Sequence, residues 1–368
     1  MTIIFFIESL RSGGKERRLV ELLSYLKKNT AFNLILVITK NEIHYSEFNA
    51  LQIPYYIIKK KSKKDPFLFF KFLKICLSLK PNMIHTWGGM VTFYSIPSSL
   101  LLQIPLIDNE ITRAHERLNK MNFYFLVSKV NFFFSKRILS NSYEGLKTYN
   151  IKSKKAGVIY NGINLDRFQT LDTIDDIKNK FNISTDFTVG MVASFSKKKN
   201  YSLYFEIAEE ILKTRKDITF LAIGGPDKDD PSYYEFIGKY ENHPNILILG
   251  PINSGLESIM NVCDCGILLT NKLNHGEGIS NAILEFFALK KPVIANDSGG
   301  TKEIILNHEN GILIEKDDRD LIEKELVNIL DDKHYAEKLG KSAYETLLEK
   351  FTVQRMGREY IKLYQSFQ

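Results

Sequence analysis

Two carboxylates, Glu277 and Glu285, stand eight positions apart in the run Glu277-Gly278-Ile279-Ser280-Asn281-Ala282-Ile283-Leu284-Glu285, and no other stretch of the chain offers as much chemistry. Gly276 and Gly278 permit backbone angles that side-chain-bearing residues avoid. Ser280 and Asn281 are good N-cap types, so the spacing predicts a helix that starts there and runs toward Leu289. Glu277 then sits before the helix and Glu285 inside it. A helix start presents unpaired N–H groups and the positive end of the dipole, which together attract phosphate. A carboxylate farther along can accept paired hydrogen bonds from ribose hydroxyls. The arrangement suits a nucleotide-sugar. The competing reading is an ordinary capped helix with Ile283, Leu284 and Phe287 in the core and two solvated glutamates.

The elements around this run decide how it is positioned. Residues 264–269 read as a buried strand upstream and residues 291–295 as another downstream, followed by Asn296-Asp297-Ser298-Gly299-Gly300-Thr301-Lys302-Glu303. Strand, glycine loop, helix, strand and glycine loop form an α/β crossover series. Before it, strands are expected at 188–193, 219–224 and 246–249, with a helix over 201–214. The amino-terminal half predicts strands at 2–7, 33–39, 55–58, 81–85, 106–109, 136–140 and 157–159, with helices at 15–28 and 66–79. That alternation is a doubly wound parallel sheet. At 368 residues, 44% of them hydrophobic, the chain is long enough for two buried cores, and Asn161-Gly162 marks a turn at the boundary.

The second half resembles the donor domain of the retaining, family-four nucleotide-sugar glycosyltransferases of GT-B architecture, whose hallmark is a glutamate pair in a pattern like E-G-x-x-N-x-x-x-E. The resemblance extends to Asn310-Gly311-Ile312-Leu313-Ile314, to Ile159-Tyr160-Asn161-Gly162-Ile163-Asn164 followed by Phe168, and to Ser12-Gly13-Gly14-Lys15-Glu16-Arg17, so it covers nearly the full length. It implies an α/β GT-B fold of two Rossmann-like doubly wound domains facing across a cleft. The acceptor-binding domain is then 1–163, the nucleotide-sugar domain 164–345, and 346–368 a helix crossing back to the first. The implied activity is retaining transfer of a sugar from a nucleotide-diphosphate donor, UDP- or GDP-linked, to a hydroxyl of a glycan or lipid-linked glycan. Bacterial-type capsule or lipopolysaccharide synthesis is the implied setting.

Within this resemblance Glu285 takes the ribose hydroxyls. Glu277 contacts the donor sugar and supports charge at the anomeric carbon, as an electrostatic and positioning group rather than a nucleophile. Lys199, in Ser194-Phe195-Ser196-Lys197-Lys198-Lys199-Asn200, aligns with the family's phosphate-binding lysine. The family's arginine five residues earlier is Ser194 here; Lys197 or Lys198 can replace its charge but not its bidentate fork. A plain solvated loop is the alternative for these lysines. Gly278, Ile279, Ser280 and Asn281 form the helix start that meets the donor. Gly13 and Gly14 let the backbone approach the diphosphate, or serve only as a strand-to-helix turn; they do not make the G-x-G-x-x-G of a nicotinamide site. His85, in His85-Thr86-Trp87-Gly88-Gly89, is a catalytic candidate at a strand end, where ligands collect, with a buried, satisfied histidine as the alternative. Where the family often carries a histidine after the next strand, this chain has Asn109-Glu110, with Arg113 and His115 following.

Composition narrows the remaining classes. Cys76, Cys263 and Cys265 give no disulfide framework and read as reduced core residues. No metal is expected, since no Asp-x-Asp cluster is placed against a diphosphate, and no cofactor beyond the donor itself. Residues 1–7 read as a first strand rather than a signal peptide, and no run approaches the roughly 20 apolar residues of a membrane span. A cytosolic protein, soluble or peripheral on the inner face of the membrane, is the expectation. Residues 1–165 carry 25 Lys+Arg against 10 Asp+Glu, which leaves the remainder net acidic. The block Lys59-Lys60-Lys61-Ser62-Lys63-Lys64 precedes Pro66-Phe67-Leu68-Phe69-Phe70-Lys71-Phe72-Leu73-Lys74, and a second aromatic and basic segment spans 123–137. Basic residues beside exposed aromatics suit an anionic membrane surface, unless the phenylalanines are core and the lysines a solvated rim. No nucleic-acid module accompanies the charge. Two rivals stay open: a sugar-nucleotide epimerase, and a non-catalytic scaffold partner of another transferase, which Ser194 favours.

Overall fold

The computed structural model describes residues 1–11, 13–62, 65–112, 114, 122–227, 230–252, 254–271, 276–315 and 317–367. Ser12, Lys63, Lys64, Arg113 and His115, singled out above, lie outside the described residues. The chain divides into two compact units, residues 1–162 with 353–368, and residues 163–352. The segment that returns to the first unit therefore begins at Val353 and not at 346, because the preceding helix runs on to Lys350 within the second unit.

The first unit runs β1 (Thr2–Ile7), α1 (Gly14–Asn29), β2 (Asn33–Ile38), α2 (Ser46–Ala50), β3 (Tyr55–Ile57), α3 (Phe67–Leu79), β4 (Met83–Thr86), α4 (Gly89–Leu102), β5 (Leu106–Ile111), α5 (Phe123–Phe134), β6 (Arg137–Ser140), α6 (Tyr143–Thr148) and β7 (Ala156–Val158). The strands form one parallel sheet in the order β3-β2-β1-β4-β5-β6-β7. Strand β1 is apolar and buried from Ile3 to Ile7 because both of its faces are covered. Ile3, Phe5 and Ile7 pack toward α1, whereas Ile4 and Phe6 pack toward α3 and α4.

The second unit runs α7 (Ile174–Lys180), β8 (Phe187–Val192), α8 (Tyr201–Thr214), β9 (Ile218–Ile223), α9 (Ser232–Tyr240), β10 (Ile246–Gly250), α10 (Leu256–Asn261), β11 (Cys265–Leu268), α11 (Asn281–Ala288), β12 (Val293–Asn296), β13 (Ile312–Ile314), α12 (Arg319–Asp331) and α13 (Lys333–Lys350). Its parallel sheet has the order β10-β9-β8-β11-β12-β13, so both sheets reverse direction next to their first strand. Cys265 and Ile267 of β11 belong to the core that covers α8, while Gly266 turns the other way. A Cβ at Gly266 would lie 2.5 Å from the ring of Phe286, so the glycine lets α11 sit close against the sheet. The last helix, α14 (Val353–Gln365), belongs to the first unit and packs on α1, where Gly357 leaves room for the Tyr25 ring. All three cysteines are buried and free.

Candidate functional site

In an open α/β sheet the loops at the carboxyl ends of the two strands flanking the reversal diverge to opposite faces and leave a crevice. In the second unit those strands are β8 and β11. The loop after β8 carries Lys199, and the loop after β11 leads through Thr270 to Glu277. The two loops touch by a bridge between Lys199 and Thr270. Glu277 Oε1 accepts from Lys199 Nζ and from Thr270 Oγ1, the latter at 3.0 Å. Glu277 is nearly buried, at 9% exposure, which strengthens its pairing with the ammonium relative to a surface pair. Asn296 at the end of β12 fixes the Thr270 backbone from beneath: its Oδ1 accepts from Thr270 N at 2.9 Å and its Nδ2 donates to Thr270 O at 2.7 Å.

Ser280 stands at the N-cap of α11, and its side chain makes no cap hydrogen bond. Gly278 and Ile279 precede it as buried backbone, and Asn281 opens the helix half-buried. Glu285, one turn in, is 5% exposed and accepts from Arg167 Nη2 at 3.0 Å through Oε1. Arg167 lies on a short 3-10 turn (Leu165–Phe168) and also donates from Nε to Glu257 of α10 at 2.8 Å. The second carboxylate oxygen of Glu285 accepts nothing among the described residues. Lys197 is exposed and Lys198 half-buried on the same loop as Lys199, and Ser194 is an exposed serine whose hydroxyl donates to Ser196 Oγ at 3.4 Å. A cavity of about 220 Å³ opens beside this loop, lined by Ser196, Lys197, Lys199, Asn200, Asp230 and Asn271 among others. Among the described residues no three His, Cys, Asp or Glu side chains converge as a metal site.

The remaining candidates belong to the first unit. Gly13 caps α1 with extended backbone, and its peptide groups are both held by the Tyr45 hydroxyl: Gly13 N donates to it at 2.9 Å and Gly13 O accepts from it at 2.8 Å. Gly14 begins α1. Gly88, after β4, has φ +148°, where a Cβ would be strained and would lie 3.7 Å from Lys15 Nζ.

His85 requires a correction. Its position on β4 turns the ring not to the sheet's edge but inward, opposite Phe5 in register and under α14. The ring is fully buried, its Nδ1 is 2.8 Å from the Tyr364 hydroxyl, and burial pushes its pKa down to about 3. A neutral imidazole without solvent access packs the core and is no proton carrier for a substrate in this structure. At the end of β5, Asn109 likewise turns inward and donates to Tyr360 at 3.0 Å. Glu110 stays half-buried, accepts from Asn131 Nδ2 at 2.7 Å, and burial raises its carboxyl above the usual range, as it does more strongly for Asp108.

Arg167, Glu257, Thr270 and Asn296 escaped sequence reasoning. Each is held by a partner 21 or more residues away or acts through one, and none stands in a spacing that signals it.

Residues 173–346 match the family described as Glycosyl transferases group 1. A Campylobacter jejuni protein, N-acetylgalactosamine-N,N'-diacetylbacillosaminyl-diphospho-undecaprenol 4-alpha-N-acetylgalactosaminyltransferase, is 27% identical over 377 residues, which span 97% of this chain and 97% of that one. The Staphylococcus aureus capsular polysaccharide biosynthesis glycosyltransferase CapM is 26% identical over 66% of this chain and 65% of its own. Among solved structures, Anabaena Alr3699/HepE in complex with UDP and glucose superposes with a TM-score of 0.86 at 15% identity, covering 99% of both chains. Two sheets wound alike, a charged pair at the reversal of the second, and full-length similarity to a named transferase support one conclusion: the chain is a glycosyltransferase of GT-B fold, and residues 173–346 of its second unit match the group 1 glycosyl transferase family.

Proposed function

We propose that the protein moves a sugar, with retention at the anomeric carbon, from a UDP- or GDP-linked donor to a hydroxyl of a lipid-linked glycan in the building of a bacterial surface polysaccharide. The observation that carries this reading is the meeting of Lys199 and Glu277 at the reversal point of the second unit, with Glu285 one turn inside the adjoining helix. The lipid-linked acceptor is supported by the undecaprenol diphosphate glycan in the name of the Campylobacter jejuni relative.

In this reading Glu285 takes the ribose hydroxyls on its open oxygen while Arg167 holds the other. Residues Gly278–Asn281 present the start of α11 to the diphosphate, and Lys198 adds charge beside Lys199. An ammonium has three donors, so Lys199 can hold Glu277 and a phosphate oxygen together. As the bond to the diphosphate lengthens, negative charge grows on the leaving oxygen and positive charge on the anomeric carbon. Lys199 stabilises the first and Glu277 the second, and this fixed pair supplies the charge without a metal ion. Retention places the incoming hydroxyl on the face from which the diphosphate leaves, so the departing oxygen is within reach of the acceptor's proton. The first unit receives the acceptor, with Gly13 and Gly14 lining its own reversal point. For the backbone N–H of Gly13 to meet a phosphate, Tyr45 must release it.

Calorimetric titration of UDP, GDP, ADP and CMP into the intact protein and into Glu285→Ala tests the donor site. Selective binding of UDP or GDP that the variant loses supports the reading; equal binding by both proteins refutes the ribose role. Product analysis with the matching sugar nucleotide then separates transfer to an acceptor from epimerisation of the donor.

A further inference from the structure

One helical layer of the first unit has a composition unlike the rest of the molecule. Helices α3, α4 and α5 lie side by side on the sheet face opposite α1 and α14. Residues 66–107 and 117–143, which supply all three, contain no Asp or Glu. Their outward side chains are large and apolar: Phe70 is 71% exposed and Phe67 60% on α3, Leu101 69% on α4, and Phe133 73%, Tyr124 62% and Leu126 55% on α5. Of the two readings left open for 123–137, the core one does not hold at 133–134, since only Phe132 among Phe132, Phe133 and Phe134 is buried.

Parallel α/β winding runs each helix antiparallel to its strands, so Phe67, Phe70 and Tyr124 lie toward the carboxyl edge of the sheet and Leu101 and Phe133 toward the opposite edge. The apolar side chains therefore extend along the whole layer. An apolar surface of this extent on a single unit marks a site of interaction.

The charged side chains on these three helices, Lys71, Lys74 and Lys129, are all basic. Lys74, Lys129 and Lys136 are exposed beside these aromatics, and Lys129 Nζ lies 5.0 Å above the Phe125 ring. Lys71 joins α3 to the lysine block by donating to Lys59 O at 2.9 Å. The opposite layer is different: α1 and α14 mix both signs of charge, with Lys15, Glu16, Arg355 and Glu359 in ion pairs. A protein partner of ordinary composition calls for carboxylates as well as lysines on the facing surface. Apolar side chains that insert, ringed by lysines whose stems lie along the acyl boundary while their ammonium groups stay in water, fit a bilayer of negatively charged lipids.

We infer that the outer face of α3, α4 and α5 is a lipid-docking face that seats the first unit on an anionic bilayer surface. The inference deepens the reading of a lipid-linked acceptor and rests on it for its purpose, though not for its test. No helix among the described residues is long and apolar enough to cross a membrane, so the attachment is at the surface.

Vesicle co-sedimentation without donor or acceptor tests it. Vesicles containing phosphatidylglycerol are compared with phosphatidylcholine alone, using the intact protein, Phe70→Glu with Phe133→Glu, and Lys74→Glu with Lys129→Glu. All four side chains are exposed, so each variant keeps its core. The expected result is binding to the phosphatidylglycerol vesicles only, lowered at least about tenfold by either double variant, with high salt weakening but not abolishing it because the apolar side chains remain inserted. Undiminished binding by both variants overturns the assignment to this face. So does a protein that ignores vesicles and forms a dimer which Phe70→Glu with Phe133→Glu dissociates, since the face is then a contact between copies. Donor titration on the same variants keeps the two readings apart: unchanged UDP or GDP binding with lost vesicle binding upholds both, and retained vesicle binding by a protein that takes no nucleotide refutes only the catalytic one.

Discussion

Arg167 Nη2 lies 3.0 Å from Glu285 Oε1, and the same guanidinium donates to Glu257, so one cation holds two carboxylates from α10 and α11. The planar fork suits this task, and no lysine could bridge both acids with the same geometry. Glu285 is thereby oriented and half-satisfied, with one oxygen left for a ligand.

Replacing Glu285 by Gln keeps its shape and removes its charge. Nucleotide affinity is expected to fall about tenfold to a hundredfold, the worth of one charge-assisted hydrogen bond. Arg167→Ala acts differently. It leaves two largely buried carboxylates facing each other, and thermal unfolding should register a loss of about 3 kcal/mol. If the two variants instead lower affinity equally with no change in melting, Arg167 contacts the ligand rather than Glu285.

Lys199→Met removes the ammonium that faces both Glu277 and the leaving diphosphate. Steady-state assays should show kcat/KM lower by about 10² to 10³, the usual cost of losing one preorganised donor at developing charge. Glu277→Gln should reduce kcat more than donor affinity, because its role grows as the glycosidic bond breaks. Turnover measured in excess chelator is expected to match the untreated enzyme. A chelated enzyme that loses activity and regains it with Mg²⁺ would show that a metal, and not Lys199 alone, carries the diphosphate charge.

Gly266→Ala places a methyl group 2.5 Å from the Phe286 ring, inside van der Waals contact. The ring is buried and α11 cannot yield freely, so destabilisation of about 1–3 kcal/mol is expected from denaturant midpoints. Because Glu285 rides on α11 next to Phe286, nucleotide affinity should fall in the same variant. A stable variant with intact affinity would mean that Phe286 finds another rotamer without moving the helix.

His85 gives the protein a defined acid sensitivity. Its folded pKa, about 3, lies below the ordinary value near 6.5, so the unfolded chain binds the proton first. The stability this ring contributes is complete above about pH 6.5 and is lost as pH falls toward 3, at up to about 1.4 kcal/mol per pH unit. In His85→Phe that slope should vanish, so its stability deficit relative to the parent shrinks between pH 7.5 and pH 5. Urea unfolding at the two pH values measures it, and parallel changes in both proteins would mean that the ring is solvated.

The sequence determined the elements and the chemistry that is local. Apolar runs broken by glycine at fixed distances produced the parallel sheets, and the strands expected at 2–7, 106–109 and 246–249 appear at Thr2–Ile7, Leu106–Ile111 and Ile246–Gly250. The cap at Ser280 and the helix behind it followed from neighbours in the chain, and Glu277 and Glu285 therefore stood out. What depends on register between distant strands was decided only by the tertiary structure. His85 is polar and ends a strand, but whether its ring turns to the edge or the core is fixed by strand parity and by α14, which arrives 279 residues later to meet it. Arg167 and Glu285 are 118 residues apart, and Asn296 reaches back 26 residues to Thr270. Neither pairing leaves a spacing to read. A folded chain satisfies its buried charges and amides wherever the topology brings a partner, and that partner's place in the sequence is set by the winding of the sheets rather than by any local rule.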